Sequence, residues 1–61
     1  MTDFPPILDV RAASSLLMLS DRTIREMAAN GEIPANRTPG GKWRFSRDAL
    51  IRWAEGTAAH V

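Results

Sequence analysis

The chain has 61 residues, 44% of them hydrophobic, and a formal net charge of +1. This length allows at most one small domain, and the absence of cysteine excludes disulfides and thiolate metal sites as supplements to its core. No apolar run approaches the roughly 20 residues of a membrane span, and no secretory signal is present, so we expect a cytoplasmic protein without a membrane partner. The single histidine, His60, is expected to lie in a solvated tail.

The charges are distributed unevenly along the chain. Between Arg22 and Arg47, six basic residues stand against two acidic ones, a net of +4. The rest of the chain carries two basic and five acidic residues, a net of −3. This asymmetry predicts one basic face on a mildly acidic domain, the alternative being a solvated surface with uneven charge.

Capping residues and apolar spacing predict a first helix after an extended lead-in over residues 1–6. Ile7 and Leu8 are apolar and are expected to pack on the core. Asp9 is a good N-cap, because its carboxylate can accept the free N–H groups of a first turn. Apolar residues then recur at helical spacing, which predicts a helix over about 10–17.

A second helix is predicted from Asp21 to Asn30, after a turn of three residues. Ser20 is its N-cap candidate, and Gly31 suits the left-handed position that follows a helix end. Its apolar stripe consists of Ile24, Met27 and Ala28. Two short helices joined by a short turn are typical of a helix-turn-helix.

A β-hairpin and a third helix complete the predicted small α+β fold, a winged helix-turn-helix. Pro34 restricts the first strand to a sheet edge, and Pro39-Gly40-Gly41 is strong turn chemistry. The alternation in Lys42-Trp43-Arg44-Phe45 predicts a half-buried second strand. The final helix is expected over about 47–54 and to end at Gly56, which gives a domain over 7–55 and a tail over 56–61.

The reactive side chains do not form a recognisable catalytic set. The acidic residues stand at helix caps or on exposed faces, and the lone histidine lies near the end of the chain. Gly40-Gly41-Lys42 lacks the spacing and the hydroxyl residue of a phosphate-binding loop. We therefore expect no enzymatic activity, no cofactor and no metal.

The outer face of the second helix carries side chains suited to a DNA major groove. Arg22 and Arg25 lie one turn apart, with Thr23 and Glu26 beside them. Arginine can form a bidentate pair with guanine, and the hydroxyl of Ser20 or Thr23 can bind a phosphate. The alternative is that the two arginines are solvated surface residues paired with neighbouring carboxylates.

The hairpin is a candidate second contact with DNA. Its narrow tip, from Thr38 through Gly40 and Gly41, is flanked by the cations Arg37, Lys42 and Arg44, which can lie along a neighbouring groove or phosphate strand. The alternative is a surface hairpin whose cations keep the sheet edge soluble. Large apolar residues that could stack on bases are instead expected in the core, namely Trp43, Phe45 and Trp53 with Met18 and Met27.

From about Leu8 to Trp53 the chain resembles the excisionase family, within the MerR-like winged helix-turn-helix domains. The resemblance is carried by an ordered set of fragments: Leu8-Asp9-Val10, Ala13, Leu16-Leu17, Ser20-Asp21-Arg22-Thr23-Ile24-Arg25, Gly31-Glu32-Ile33-Pro34-Ala35, Gly41-Lys42-Trp43-Arg44-Phe45 and Asp48-Ala49-Leu50. Met18 stands where the family usually has glycine, which implies strain in the turn, and Ala12 stands where glutamate is usual. Neither position lies on the expected DNA face.

The resemblance implies that the second helix reads the major groove and the hairpin tip enters the adjacent minor groove of double-stranded DNA. It implies an architectural protein of a phage or mobile element, which bends DNA and directs a tyrosine integrase towards excision. Close relatives are small transcription regulators or the DNA-binding part of a terminase small subunit. Because one module buries only about 600–1,000 Å² on DNA, and no dimerising helix follows Trp53, we expect several copies side by side on repeated sites.

Overall fold

The computed structural model describes residues 4–59, so the predictions for residues 1–3 and for His60 lie outside the described part. Along the chain the elements are β1 (Ile7–Leu8), α1 (Val10–Leu17), α2 (Asp21–Ala29), β2 (Asn36–Arg37), β3 (Trp43–Ser46) and α3 (Arg47–Ala59). The predicted small α+β class is confirmed, with three helices and a three-stranded antiparallel sheet that fit a helix-turn-helix fold.

Helix α1 starts and ends where its local sequence predicts. The Asp9 carboxylate caps it by accepting the Ala12 N–H at 2.8 Å. At its end Met18 adopts a left-handed conformation, with φ 59° and ψ 41°, and the Leu19 N–H donates to the Ser14 carbonyl at 2.9 Å. The expected strain in the turn is therefore present. The prediction that Met18 lies in the core is wrong: its side chain is 89% exposed, because this conformation carries it away from the packed face.

Helix α2 follows the same rules with a glycine at its end. Ser20 is its N-cap, and its side chain accepts the Thr23 N–H at 3.1 Å. Gly31 has φ +73°, and the Glu32 N–H donates to the Met27 carbonyl at 2.8 Å, which completes the left-handed cap. Ile24 and Ala28 are buried, as predicted from the apolar stripe.

The sheet contains one strand more than the predicted hairpin. Its order is β1-β3-β2, and all pairs are antiparallel. Strand β1 pairs Ile7 with Ser46 and Leu8 with Phe45. Successive side chains of a strand face opposite sides, so Leu8 is buried while Ile7 is 61% exposed. The expectation that Ile7 packs on the core is therefore wrong.

The hairpin tip between β2 and β3 is held by both backbone and side-chain bonds. The Gly41 N–H donates to the Thr38 carbonyl at 2.8 Å, and the Thr38 N–H donates to the Lys42 carbonyl at 2.9 Å. The Thr38 hydroxyl oxygen also accepts the Lys42 N–H at 3.2 Å. Gly41 has φ +83°, so the loop is a tight turn followed by a left-handed residue, a standard hairpin connection.

Helix α3 runs from Arg47 to Ala59 and passes through Gly56. The prediction that Gly56 ends this helix is wrong. Glycine within a helix costs about 1 kcal/mol relative to alanine, a cost that a helix can tolerate, and Gly56 does not adopt the left-handed φ seen at Gly31. The division into a domain over 7–55 and a tail over 56–61 stays a prediction.

The core lies where the helices meet the inner face of the sheet. The buried hydrophobic residues are Leu8, Ala13, Ile24, Ala28, Ile33, Phe45 and Leu50. Trp43, Trp53 and Met27 are half-buried and pack against this cluster, which confirms that they serve the core. Arg47 attaches the lead-in, because its side chain donates to the Phe4 carbonyl at 2.8 Å and its backbone N–H donates to the Pro6 carbonyl at 2.9 Å.

Candidate nucleic-acid interface

An open cleft of about 480 Å³ lies where α1 begins, between α2 and the β2–β3 hairpin. Its charged lining consists of five cations and two carboxylates, a formal net of +3, from Arg11, Arg25, Arg37, Lys42, Arg44, Asp9 and Asp21. The two ion pairs among residues 4–59 are Arg22–Glu26 and Arg47–Asp48, so no cation of the cleft is neutralised by a partner of its own. The cleft is therefore a surface on which anions are favoured.

Both carboxylates of the cleft have structural partners. Asp9 caps α1 through the Ala12 N–H, as described above. The carboxylate of Asp21 accepts the Ser14 hydroxyl at 2.7 Å and thereby joins the start of α2 to the buried side of α1. The Asp9 bond fixes the start of α1, and the Asp21 bond joins the two helices of the motif, so both acidic side chains have a structural role beside the cleft.

On α2, Arg25 is exposed and lines the cleft, whereas Arg22 lies outside it. The Arg22 Nε donates to the Glu26 carboxylate at 3.3 Å, and the two side chains are 87% and 61% exposed. This is the surface pair that the sequence left open as an alternative. A pair this exposed contributes about 0.3–0.5 kcal/mol, so both side chains can be redirected at little cost when a ligand binds.

Ser20 and Thr23, the two candidates for a phosphate contact, differ in whether their hydroxyl proton is already donated within the protein. The Ser20 hydroxyl accepts the Thr23 N–H at 3.1 Å and donates its own proton to the Thr23 hydroxyl oxygen at 2.8 Å. The Thr23 hydroxyl thus keeps a free proton, while Ser20 is committed to the helix cap. Neither side chain lines the cleft.

The hairpin contributes Arg37, Gly41, Lys42 and Arg44 to the cleft. The Arg37 guanidinium lies over the Trp43 ring, 4.7 Å from its centroid. Arg44 is half-buried, and its Nη1 donates to the Trp43 carbonyl at 2.9 Å.

The tip residues of the hairpin are placed differently from these cations. Thr38 and Gly40 lie outside the cleft lining, and the side chain of Thr38 closes the turn through the Lys42 N–H. A DNA contact from Thr38 would therefore have to use its hydroxyl proton, which this bond leaves free. The DNA contacts expected of the individual residues stay predictions.

Arg11 is a cleft cation that the sequence reasoning missed. Asp9 correctly predicts the start of α1 and so places Arg11 in its first turn. Arg11 lies close to the hairpin because β1 pairs with β3, which holds the start of α1 beside the hairpin. A strand of two residues leaves no periodic signal in the sequence, so this neighbourhood could not be predicted.

Comparison with known proteins decides the family. A family described as helix-turn-helix domain matches residues 7–58, which is most of the chain. The chain belongs to this helix-turn-helix domain family. Helix-turn-helix domains bind DNA and are typically not enzymes, so family membership implies DNA binding for this one. The match is to the general family and does not single out excisionases.

No curated protein and no solved structure matches the chain. Among residues 4–59, no helix combines the length and apolar character needed to cross a membrane. In the same part of the chain, the carboxylate side chains form no group that could hold a metal ion.

Proposed function

We propose that this helix-turn-helix domain binds double-stranded DNA with sequence specificity, with α2 in the major groove and the β2–β3 hairpin against the adjacent minor groove. The observation that carries the proposal is that one basic cleft is lined by Arg25 of α2 and by Arg37 and Lys42 of the hairpin. A duplex presents one negative charge per about 1.7 Å of its axis, so cations of α2 and the hairpin that line the same cleft without ion-pair partners suit it.

Base recognition in this proposal comes from the exposed face of α2. Arg25 can form a bidentate pair with guanine O6 and N7, and Arg22 can do the same once its pair with Glu26 opens. Glu26 is then available to accept from the cytosine amino group. Thr23, with its free hydroxyl proton, serves as a phosphate contact that fixes the register of the helix.

The biological role that we propose is architectural, as in excisionases. Copies of the domain bind repeated sites cooperatively, bend the DNA and direct a tyrosine integrase towards excision. The ordered fragments between Leu8 and Trp53 support this role, as does the small area that one such module buries on DNA, about 600–1,000 Å². A small transcription regulator, or the DNA-binding part of a terminase small subunit, would use the same surface without the integrase.

The DNA-binding proposal is tested by measuring Kd on a selected cognate duplex and on a random duplex. Arg25→Ala should weaken cognate binding by about ten- to a hundredfold and change random binding little, because it removes a base contact. Arg52→Ala, on an exposed position of α3 outside the cleft, is the matched control. Equal losses on both duplexes would make Arg25 a phosphate contact, and absence of binding by the folded wild-type chain would refute the proposal.

The assignment of Thr23 as a phosphate contact and of Ser20 as a helix cap is tested by two substitutions, each of which removes one hydroxyl group. Thr23→Val should weaken DNA binding and leave the free energy of unfolding almost unchanged, because the Ser20 cap survives. Ser20→Ala should lower that free energy by about 1 kcal/mol, because the cap is lost. The reverse pattern, measured by urea unfolding and DNA titration, would contradict the assignment.

The architectural role is tested by footprinting on duplexes that carry one or several copies of the selected site. We expect occupancy to be cooperative, protection to extend across adjacent sites and DNA to bend as the sites fill. Addition of the protein to an integrase reaction should then favour excision over integration. Tight binding of a single copy to one isolated site would contradict this role and favour the transcription regulator.

A further inference from the structure

Arg37 and Trp43 form a stacked pair on the hairpin. They are register partners in the β2–β3 ladder, and the guanidinium carbon lies 4.7 Å from the centroid of the indole ring. At this distance a planar guanidinium is attracted to the face of tryptophan by a cation–π interaction. Trp43 is half-buried and packs against the hydrophobic core, so the fold fixes the orientation of its ring.

The pair also lies in the lining of the basic cleft. No ion pair among the described residues includes Arg37, so its charge remains available to a ligand. An arginine on an exposed strand normally loses rotamer freedom when it binds, and that loss weakens the complex. An arginine already stacked on a fixed ring has lost much of this freedom before binding.

We propose that Trp43 is a positioning residue for DNA binding, which acts by holding the Arg37 guanidinium over its ring in the lining of the cleft. The inference rests on the proposed function and deepens it. It assigns different requirements to two cations of the same hairpin: Arg37 needs a planar guanidinium, whereas Lys42, which lies over no aromatic ring among the described residues, needs only its charge.

A double-mutant cycle on the cognate duplex tests the coupling between the two side chains. Arg37→Lys keeps the charge and removes the stack, while Trp43→Leu removes the ring. Each single substitution should raise Kd by about two- to fivefold. The double variant should have a Kd no higher than that of the single variant that binds less tightly. In the control cycle, Lys42→Ala and Trp43→Leu should weaken binding by factors that multiply. Circular dichroism melting establishes that each variant is folded.

Trp43→Phe tests whether another aromatic ring retains the affinity, and it replaces Trp43→Leu if that variant does not fold. It keeps an aromatic face in the same place, so it should retain more affinity than Trp43→Leu at a similar loss of stability. If Trp43→Leu does not fold, the effect of Arg37→Lys is measured in the Trp43→Phe background, where it should be smaller than in the wild type because phenylalanine attracts a cation less strongly.

The outcomes separate the inference from the function on which it rests. Losses that multiply in the Arg37/Trp43 cycle, with wild-type binding intact, would overturn the positioning role and leave DNA binding standing. Affinity for Trp43→Phe no better than for Trp43→Leu would do the same. An unchanged Kd for Arg37→Ala would remove Arg37 from the interface and overturn the inference. Failure of the wild-type chain to bind any duplex would refute the proposed function itself.

Discussion

Replacing Met18 by glycine is expected to stabilise the domain. Met18 is the one non-glycine residue with a positive φ in the described part of the chain, and this conformation costs an L residue about 1–2 kcal/mol. Its side chain is 89% exposed, so truncation gives up little buried apolar area. The substitution also keeps the backbone bond from the Leu19 N–H to the Ser14 carbonyl at 2.9 Å, which closes the end of α1.

The size of the effect follows from two opposing contributions at this position. Relief of the left-handed conformation contributes about 1–2 kcal/mol, and the greater freedom of glycine in the unfolded chain removes about 0.5–1 kcal/mol. The midpoints of the two ranges differ by about 0.75 kcal/mol, so we expect a net gain of about 0.5–1 kcal/mol. For a domain of this size a gain of 1 kcal/mol raises Tm by about 4–8 °C, so Met18→Gly should melt about 2–8 °C above the wild type.

Thermal unfolding followed by far-ultraviolet circular dichroism, with a urea titration beside it, measures this gain. Met18→Ala is the matched control, because alanine keeps the left-handed cost and should give no increase in Tm. Both variants should bind DNA like the wild type, since Met18 does not line the cleft. A Met18→Gly variant that melts at or below the wild-type temperature would refute the reasoning. An equal rise in Met18→Ala would assign the effect to the exposed thioether.

Two further pairs of variants test the hairpin and the cleft. Gly41→Ala should destabilise the domain by about 0.5–1 kcal/mol in urea unfolding, because the left-handed cost at φ +83° exceeds the gain from a less flexible unfolded chain. Gly40→Ala should be nearly neutral, because its Cβ would meet only the Thr38 hydroxyl at 3.8 Å. Equal effects would show that the tip relaxes. Arg11→Gln should lower the slope of log K against log salt by about 0.9, and Arg52→Gln should leave it unchanged. An unaltered slope for Arg11→Gln would place Arg11 outside the interface.

The helix-turn-helix core of the fold could be predicted because its signals are local. Asp9 and Ser20 each accept an N–H group three residues ahead, so each marks a helix start from within a single turn. Gly31 marks the end of α2 for an equally local reason, its positive φ. Such interactions depend on neighbouring residues alone, and tertiary packing has little opportunity to override them.

The features that were not predicted correctly are those that the neighbouring residues do not reveal. A glycine signals a helix end when its backbone turns left-handed, and the residues around Gly56 do not reveal that it stays helical. The outward direction of Met18 follows from its own φ, which its apolar character does not disclose. Strand β1 consists of two residues whose partners, Ser46 and Phe45, are nearly 40 positions away along the printed sequence.

The distribution of charge along the sequence predicts a basic face, and the structure shows which cations line the cleft. The stretch from Arg22 to Arg47 supplies four of the cations in the cleft, while Arg11 comes from outside it. Arg22 is paired with Glu26, and Arg47 is 27% exposed and bound to the Phe4 carbonyl. A net charge of +4 over a stretch of chain therefore gave the right sign for the surface without identifying which cations form it.

Strand β1 explains how a domain this small can present cations from two helices and the hairpin at one place. Pairing of Leu8 with Phe45 fixes the start of α1 to the central strand, and the neighbouring strand on the other side carries Arg37. The Asp21 bond to Ser14 fixes α2, and with it Arg25, to α1. The backbone positions that carry these cations are thus fixed relative to one another by contacts that do not involve a ligand. Binding then requires less ordering of the protein, and the cleft can act as one surface.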